Sequence, residues 1–585
     1  MIAKGSRRRI IASDERGQGL HEKKSTIVIV VCLLTACGTN ELCLADTAAA
    51  VDTTYPEGVD RAVAGAEAAV EDADAAALEE ALADAEDGGA KLALRTRIRQ
   101  RSSSPDEVSL YRRLEWTLSS GSQLHIVADR DPGEPDWHDF VALYARWQMS
   151  DAVEAHVGDL RPGFAQGIVF SRGSGRGGTV SPSARRDSKS LGYRATGENQ
   201  ALRGASVRLR HRDFSATLIT GQLQRDARLN GAGRVISLPE GGIHVSETER
   251  GGKDQLSAAV VGLRLHHNRD LLQYGLTVQH LTASSHGIDL RRPESRPNAF
   301  FGDDQRMMGI DASLRGRRGA SAFAEVAVDG RKEWASVAGG RITLNGMRFD
   351  GQGRYYSPGF HSFFGGSASA VGMHNELGLA VSVSGRRCRM VRWRLFTDRY
   401  MRPWRSVTAT VPVASSTSGG VLQSRISPRW RLESSLQRRR RLRASGLPHD
   451  RRLAVRIDAI GEGPRQAATL RLRGEWRRVR IQSETPQRGV NVSVSWRQKR
   501  ALSDYAVHLS RFATDSYDAR IYEYERDFPG SVSIRPLYGN GWRAYVLVRR
   551  TWTERLTLAL RCRHERDAAG QRRSTLTGLQ VDYGH

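Results

Sequence analysis

Across 585 residues the chain carries 89 basic side chains against 64 acidic ones, a formal net charge of +25, with only 39% hydrophobic residues and a mean hydropathy of −0.48. A single soluble core stops growing at roughly 250 to 300 residues, and a spanning helix needs a run of about 18 apolar residues, which is absent after the N-terminus. One large soluble domain and a helical membrane protein are therefore both excluded, whereas a membrane barrel uses extra length to add strands and circumference.

Eight of the basic residues are lysines and 81 are arginines, which bring a permanent charge and a planar fork suited to phosphate and carboxylate. The five cysteines, at 32, 37, 43, 388 and 562, show no disulfide framework and no zinc spacing.

Residues 1–45 read as an export signal behind a leader. Lys23 and Lys24 precede an apolar stretch from Ser25 to Ala36, too short for a comfortable transmembrane anchor. Leu34-Thr35-Ala36-Cys37 resembles a bacterial lipobox, which makes Cys37 a candidate lipidation site; ordinary cleavage after Cys43-Leu44-Ala45 is the equal alternative. Residues 46–90 form an acidic, alanine-rich segment in which Val59, Val63, Ala66 and Val70, then Leu78 and Leu82, recur at helical spacing. Between Glu57 and Asp87 eleven acids face the single Arg61, so residues 91–585 hold a net charge of about +34. The acidic segment is either a solvated linker or an electrostatic plug for a basic interior.

At Lys91 the period changes from helix to strand. Leu92, Leu94, Thr96 and Ile98 alternate with Ala93, Arg95, Arg97 and Arg99, and the two-residue period recurs to the C-terminus. Leu453, Val455 and Ile457 alternate with Arg456 and Asp458, and Leu556, Leu558 and Leu560 with Arg561 and Arg563. Trp116, Trp147, Trp393, Trp496 and Trp542 fall toward strand ends, where interface girdles sit. The fold expected over residues 91–585 is all-β, a large transmembrane antiparallel barrel of roughly 20 to 24 strands, even in number. Stretches rich in Gly, Ser and charge, from Ser171 to Ser190, Asp226 to Asp254 and His286 to Gln305, read as outside loops. Gly578-Leu579-Gln580-Val581-Asp582-Tyr583 resembles the C-terminal signal read by the outer-membrane assembly machinery. Outer-membrane lipid and that machinery are the expected partners.

An ordered series of short motifs runs through residues 91–440. Gly158-Asp159-Leu160-Arg161 leads into Phe164-Ala165-Gln166-Gly167-Ile168; then come Gly242-Ile243-His244 with Glu247, Tyr355-Tyr356-Ser357-Pro358, Asn375-Glu376, and Phe396-Thr397-Asp398 with Pro403-Trp404. The series resembles a group of large bacterial outer-membrane barrels that often carry N-terminal helix-hairpin-helix modules of the competence-protein type. That resemblance implies the barrel fold and singles out Gly158, Asp159, Gln166, Gly167, Gly242, His244, Glu247, Asp398, Pro403 and Trp404. The Pro-Gly-hydrophobic-Gly hairpin with which such modules grip DNA does not occur between Thr47 and Ala90, so DNA binding is not carried over.

The chemistry expected of the interior is basic. Arg95, Arg97, Arg99, Arg456, Arg543, Arg561 and Arg563 fall on the water-facing register, where they either form a ladder attracting anionic solutes or nucleic acid, or pair with acids of neighbouring strands. His244 and Glu247 are either ligands, an acid/base pair, or the fixings of a turn. Arg172-Gly173-Ser174-Gly175-Arg176-Gly177-Gly178 lacks the Lys-Ser/Thr of a phosphate cradle and reads as a loop. No catalytic, cofactor or metal pattern is found. The expected function is a channel or binding barrel for anionic solutes or polymers, DNA uptake being a special case, ahead of a scaffold barrel and a barrel hydrolase.

Overall fold

A computed structural model describes residues 91–584, apart from 103, 174–183, 284–286, 293–295, 371, 389, 406–411, 444–449, 465–466, 482–484, 532 and 568–572. The expected export signal, with Cys37, and the acidic segment 46–90 lie outside the described residues.

Twenty-four antiparallel strands join in one sheet, each pairing with the next in sequence around the wall. The first, Lys91–Arg101, closes on the last, Arg573–Gly584, with Leu94 opposite Tyr583 and Ile98 opposite Leu579. Closure leaves no free sheet edge, so every wall strand has both backbone ladders satisfied, as a structure in lipid requires. The side chains agree. Leu94, Ile98, Leu143, Val157, Leu218, Val261, Ile310, Val326, Leu436, Val492 and Leu560 are all exposed, and together they form an apolar outer surface that water would not tolerate but acyl chains would.

The two ends of the barrel differ. Turns at the end where the first strand begins and the last strand finishes are tight; Asn345 and Gly346 both take positive φ, the requirement of a two-residue hairpin turn. At the other end are the long connections, chiefly residues 161–201, 226–255, 284–303, 357–375 and 515–539. Long connections mark the cell-surface side of such barrels and short turns the periplasmic side.

Those connections do not all project outward. The described part of Ser171–Ser190 belongs to the 161–201 connection, which folds back into the barrel; Phe164, Ile168, Val169, Phe170 and Leu191 are fully or almost fully buried there. They pack against inward side chains of the wall, including Ile219, Leu223, Val260, Leu281, Met307, Phe323, Val337 and Tyr356, and against Phe360 and Phe363 of the 357–375 connection. This part of the interior is thus a packed apolar core and not the watery, arginine-lined space expected. The physical reason lies in the strands themselves. Over Leu256–Arg269 the inward Leu256, Ala258 and Val260 are as apolar as the outward Val261 and Leu263, and such a wall must be covered from within.

Candidate functional site

The interior divides into a covered arc and an open arc. Three connections, 161–201, 357–375 and 515–539, do much of the covering, and each is tied to the wall through a carboxylate. Glu325, buried on the strand Ser321–Asp329, accepts hydrogen bonds from the main-chain N–H of Gln166 at 2.7 Å and of Ile168 at 3.2 Å. Asp187 of the same connection pairs with Arg264, which also pairs with Asp311 on the wall. Residues 515–539 insert a hairpin, Ile521–Glu525 paired with Ser533–Leu537, beside the seam where the barrel closes. Its Glu525 receives Arg543 at 3.1 Å, Arg561 at 2.6 Å and Arg563 at 3.6 Å; Asp527 receives Arg99 at 2.8 Å and Arg561 at 3.4 Å. Arg97 donates to the Pro529 carbonyl at 3.1 Å and to Gln580 at 2.8 Å, while Arg95 pairs with Asp582 at 2.6 Å.

Six of the seven arginines singled out in the sequence therefore sit around one hairpin or the seam beside it, and their charge is taken up by carboxylates and carbonyls of the chain itself. A sequence signal existed. In a strongly basic body, Tyr522-Glu523-Tyr524-Glu525 alternates aromatic and acid within a span that also holds Asp515, Asp518 and Asp527.

The seventh, Arg456, lies elsewhere. On the strands Trp430–Arg443, Asp450–Glu462 and Ala468–Arg480 four inward arginines keep contact with water: side-chain exposure is 43% for Arg431, 42% for Arg452, 46% for Arg456 and 39% for Arg471, though 12% for Arg473, against 2% for Arg264 and 3% for Arg561 on the covered arc. Asp458 sits at the centre of this open arc. Arg473 reaches it at 2.7 Å, Arg456 at 3.4 Å and Arg471 at 3.9 Å, so three guanidinium groups crowd one buried carboxylate, with Glu433 opposite Asp458 and Glu475 opposite Arg456 on the flanking strands. Arg473, Arg471 and Asp458 carried no motif, and only strand register brings them together.

The motif residues hold the wall and the connections in place. Gly158 has φ +111, and a Cβ there would lie 2.1 Å from the Leu143 carbonyl oxygen, so the strand pairs this closely only with glycine. Asp159 accepts from the Leu143 N–H at 2.7 Å and pairs with Arg203 at 2.9 Å. Gln166 and Gly167 form the turn that meets Glu325, and the Gly167 carbonyl accepts from the Gly366 N–H at 3.0 Å. Asp398 and Glu376 share the buried Arg354, and Glu376 also accepts from Ser369 and Ala370, which anchors the 357–375 connection. Trp404 exchanges two main-chain hydrogen bonds with the Asn375 side chain, at 2.6 and 2.8 Å, with Pro403 exposed before it.

Gly242, at φ +60, leads into His244, which is buried, whereas Glu247 is exposed at the start of a five-residue helix and takes no part in the same cluster. Most partners of His244 come from other connections, and Asp226 from its own. Nδ1 lies 2.5 Å from Asp139 and 3.4 Å from Glu198, Nε2 lies 3.2 Å from Asp226, and the His244 N–H donates to Glu134 at 3.1 Å. Lys253 adds a 2.7 Å bond to Asp139. Burial works against a charged His244, but Asp139 and Asp226 outweigh it and raise its pKa; burial and then Asp139 push the Glu198 carboxyl up to about 9. Donor atoms of Glu134, Asp139, Glu198 and His244 all lie within 4.8 Å of one another, a spacing that could hold a cation. A proton on Glu198 and the Lys253 ammonium offset part of the negative charge, and the hydrogen bonds join three surface connections into a clasp.

A closed 24-stranded barrel with an apolar exterior, tight turns at one end and long inserted connections at the other defines a large outer-membrane β-barrel. No family model and no curated protein matches the sequence. Among solved structures, the chain is similar to a mutant of the ferric enterobactin receptor of Pseudomonas aeruginosa (7% identity, TM-score 0.43, covering 85% of this chain and 80% of that one). It is similar also to the siderophore receptor PirA of Acinetobacter baumannii (6%, 0.42, 85% and 80%) and to the translocation pore of the P pilus usher (8%, 0.37, 85% and 99%). The fold assignment rests on the strand pairing of the chain itself.

Proposed function

We propose that this barrel binds and passes anionic solutes along the open arc of its lumen, with the inserted connections narrowing the path. The observation that carries this reading is the cluster of Arg456, Arg471 and Arg473 around Asp458, in which the Arg456 and Arg471 side chains stay water-accessible while Arg473 is largely buried against the carboxylate. Fixed positive charge on a low-dielectric wall concentrates anions and repels cations. The test is reversal potential in planar bilayers under a salt gradient. The intact barrel is expected to favour chloride over potassium, and Arg456→Ser with Arg471→Ser and Arg473→Ser to move the reversal potential toward zero; cation preference in the parent barrel would dismiss the reading. A nucleic-acid cargo is a special case, for which a single-stranded oligonucleotide would block the current from the long-connection side.

A second reading, a scaffold barrel, is favoured by the packed apolar core between residues 161–201 and the wall. A folded barrel that is electrically silent at every voltage would support it.

A further inference from the structure

The strands that carry the open arc also carry arginines on their opposite, lipid-facing side. Strand register places them in rows at the long-connection end. Arg399 is opposite Ser416, Ser416 opposite Arg440, Arg440 opposite Arg451, and Arg451 opposite Arg480. One step toward the membrane, Leu453 stands between Arg438 and Arg478. All six arginines are exposed. The next outward rows are Leu436, Val455, Trp476 and Val490, then Ile457 and Val492, so the guanidinium groups sit at the upper border of the apolar belt.

Among the described residues no carboxylate lies within ion-pair distance of any of these six side chains, although inward arginines on the same strands, such as Arg431, Arg456, Arg473 and Arg477, do find acids. Like charges directly opposite on neighbouring strands destabilise a sheet, and here three stand in a row at a strand spacing of about 4.8 Å. An anion bridging the row would convert repulsion into attraction. Its position selects the kind of anion: it must present negative groups at the border and apolar chains below it.

We infer that the outward faces of Arg440, Arg451 and Arg480, flanked by Arg399, Arg438 and Arg478, form a binding site for the phosphate groups of a multiply phosphorylated lipid of the outer leaflet. Guanidinium forks take phosphate oxygens in pairs, and the acyl chains would lie along Leu436, Val455 and Ile457. This site is on the opposite side of the wall from the lumen cluster and does not depend on the proposed conduction.

The test uses the full chain purified in a neutral maltoside detergent and titrated with diphosphorylated lipid A, with bound lipid counted by native mass spectrometry. Binding is expected to weaken by about tenfold in the variant Arg440→Gln, Arg451→Gln, Arg480→Gln, and to weaken in the parent when the monophosphorylated lipid is substituted, since each charge-assisted bond contributes separately. Arg456→Gln with Arg471→Gln and Arg473→Gln, which removes lumen charge only, is expected to bind as the parent does. Folding is checked by gel mobility before and after boiling. If the triple outward variant does not fold, Arg451→Gln alone replaces it and should show a smaller loss in the same direction. Unchanged lipid binding by a folded outward variant would overturn the site. So would full displacement of the lipid by inorganic pyrophosphate at equal concentration, which would show that the acyl chains contribute nothing.

Discussion

Glu325 and Gln166 stand 159 residues apart in the chain, yet the carboxylate of one accepts the main-chain N–H of the other at 2.7 Å inside the barrel. The bond joins the wall to a connection packed inside the barrel, and it is backed by four buried side chains, Phe164, Ile168, Val169 and Phe170. Each such side chain contributes roughly 2 kcal/mol, whereas loss of a buried hydrogen-bonding partner costs about 1–3 kcal/mol. Packing should therefore outlast the bond. Glu325→Ala is expected to lower stability by about 2–4 kcal/mol in urea titrations while leaving single-channel conductance unchanged. Replacing residues 164–170 with a Gly-Ser linker is expected to raise conductance severalfold. A large open current from Glu325→Ala alone would show that the bond, and not the packing, keeps the connection inside.

Glu525 is the acid on which Arg543, Arg561 and Arg563 converge. Glu525→Gln keeps the shape and removes the charge, leaving those guanidinium groups with Glu565 at 2.8 Å and Asp527 at 3.4 Å. Breaking a buried ion pair from one side costs about 3–5 kcal/mol. The hairpin is expected to detach, seen as new trypsin cleavage after Arg526 in the folded barrel. Resistance to trypsin equal to that of the parent would show that Glu565 and Asp527 suffice.

Gly158→Ala should impair folding, because the new methyl group would lie 2.1 Å from the Leu143 oxygen and the residue would keep φ +111. Positive φ alone costs about 1–3 kcal/mol for a residue with a side chain, and the two strands must also separate. Gly474→Ala is the control, since nothing lies within 4 Å of its added Cβ and the expected change is within about 0.5 kcal/mol. Equal yields of refolded barrel from both variants would refute the close-approach argument.

The clasp around His244 predicts a pH dependence with a definite sign. Glu198, held up to about 9, keeps its proton in the folded protein, whereas the unfolded side chain ionises near 4.5. A raised folded pKa contributes stability that is complete below the unfolded value and lost as pH climbs to the folded one. His244, also raised, acts in the same direction. The groups facing them are Glu134, Asp139, Asp226 and Lys253, with Asp131 nearby and itself pushed up to about 6 by burial, Glu134 and Asp139. Protection factors in residues 226–255, with the intrinsic pH dependence of amide exchange divided out, should thus be high at pH 5 and lower at pH 9. Glu198→Gln should abolish most of the difference by protecting the connection at pH 9. A protection factor in the parent that is equal or higher at pH 9 would contradict the assigned protonation.

The wall was legible because a two-residue period acts on neighbours in sequence. Once Leu94 and Ile98 point to lipid, Arg95 and Arg97 must point inward, and the same rule carried along the chain to Arg561 and Arg563. The closing strand was recognisable from Leu579 and Tyr583 for the same reason. What fills the wall could not be read this way. Glu325 meets Gln166 across 159 residues, and Asp527 meets Arg99 across 428, separations that no period links. The open cluster at Asp458 and the outward row through Arg440, Arg451 and Arg480 depend on register between strands, which is set by the length of each turn and by the side chains that pack across the sheet. Alternation along one strand determined which face each side chain takes, because that is local geometry. Which charges end up neutralised, and which face water or lipid alone, was decided only when the connections turned inward and the wall closed, because electrostatic and apolar contacts depend on distance in space and not along the chain.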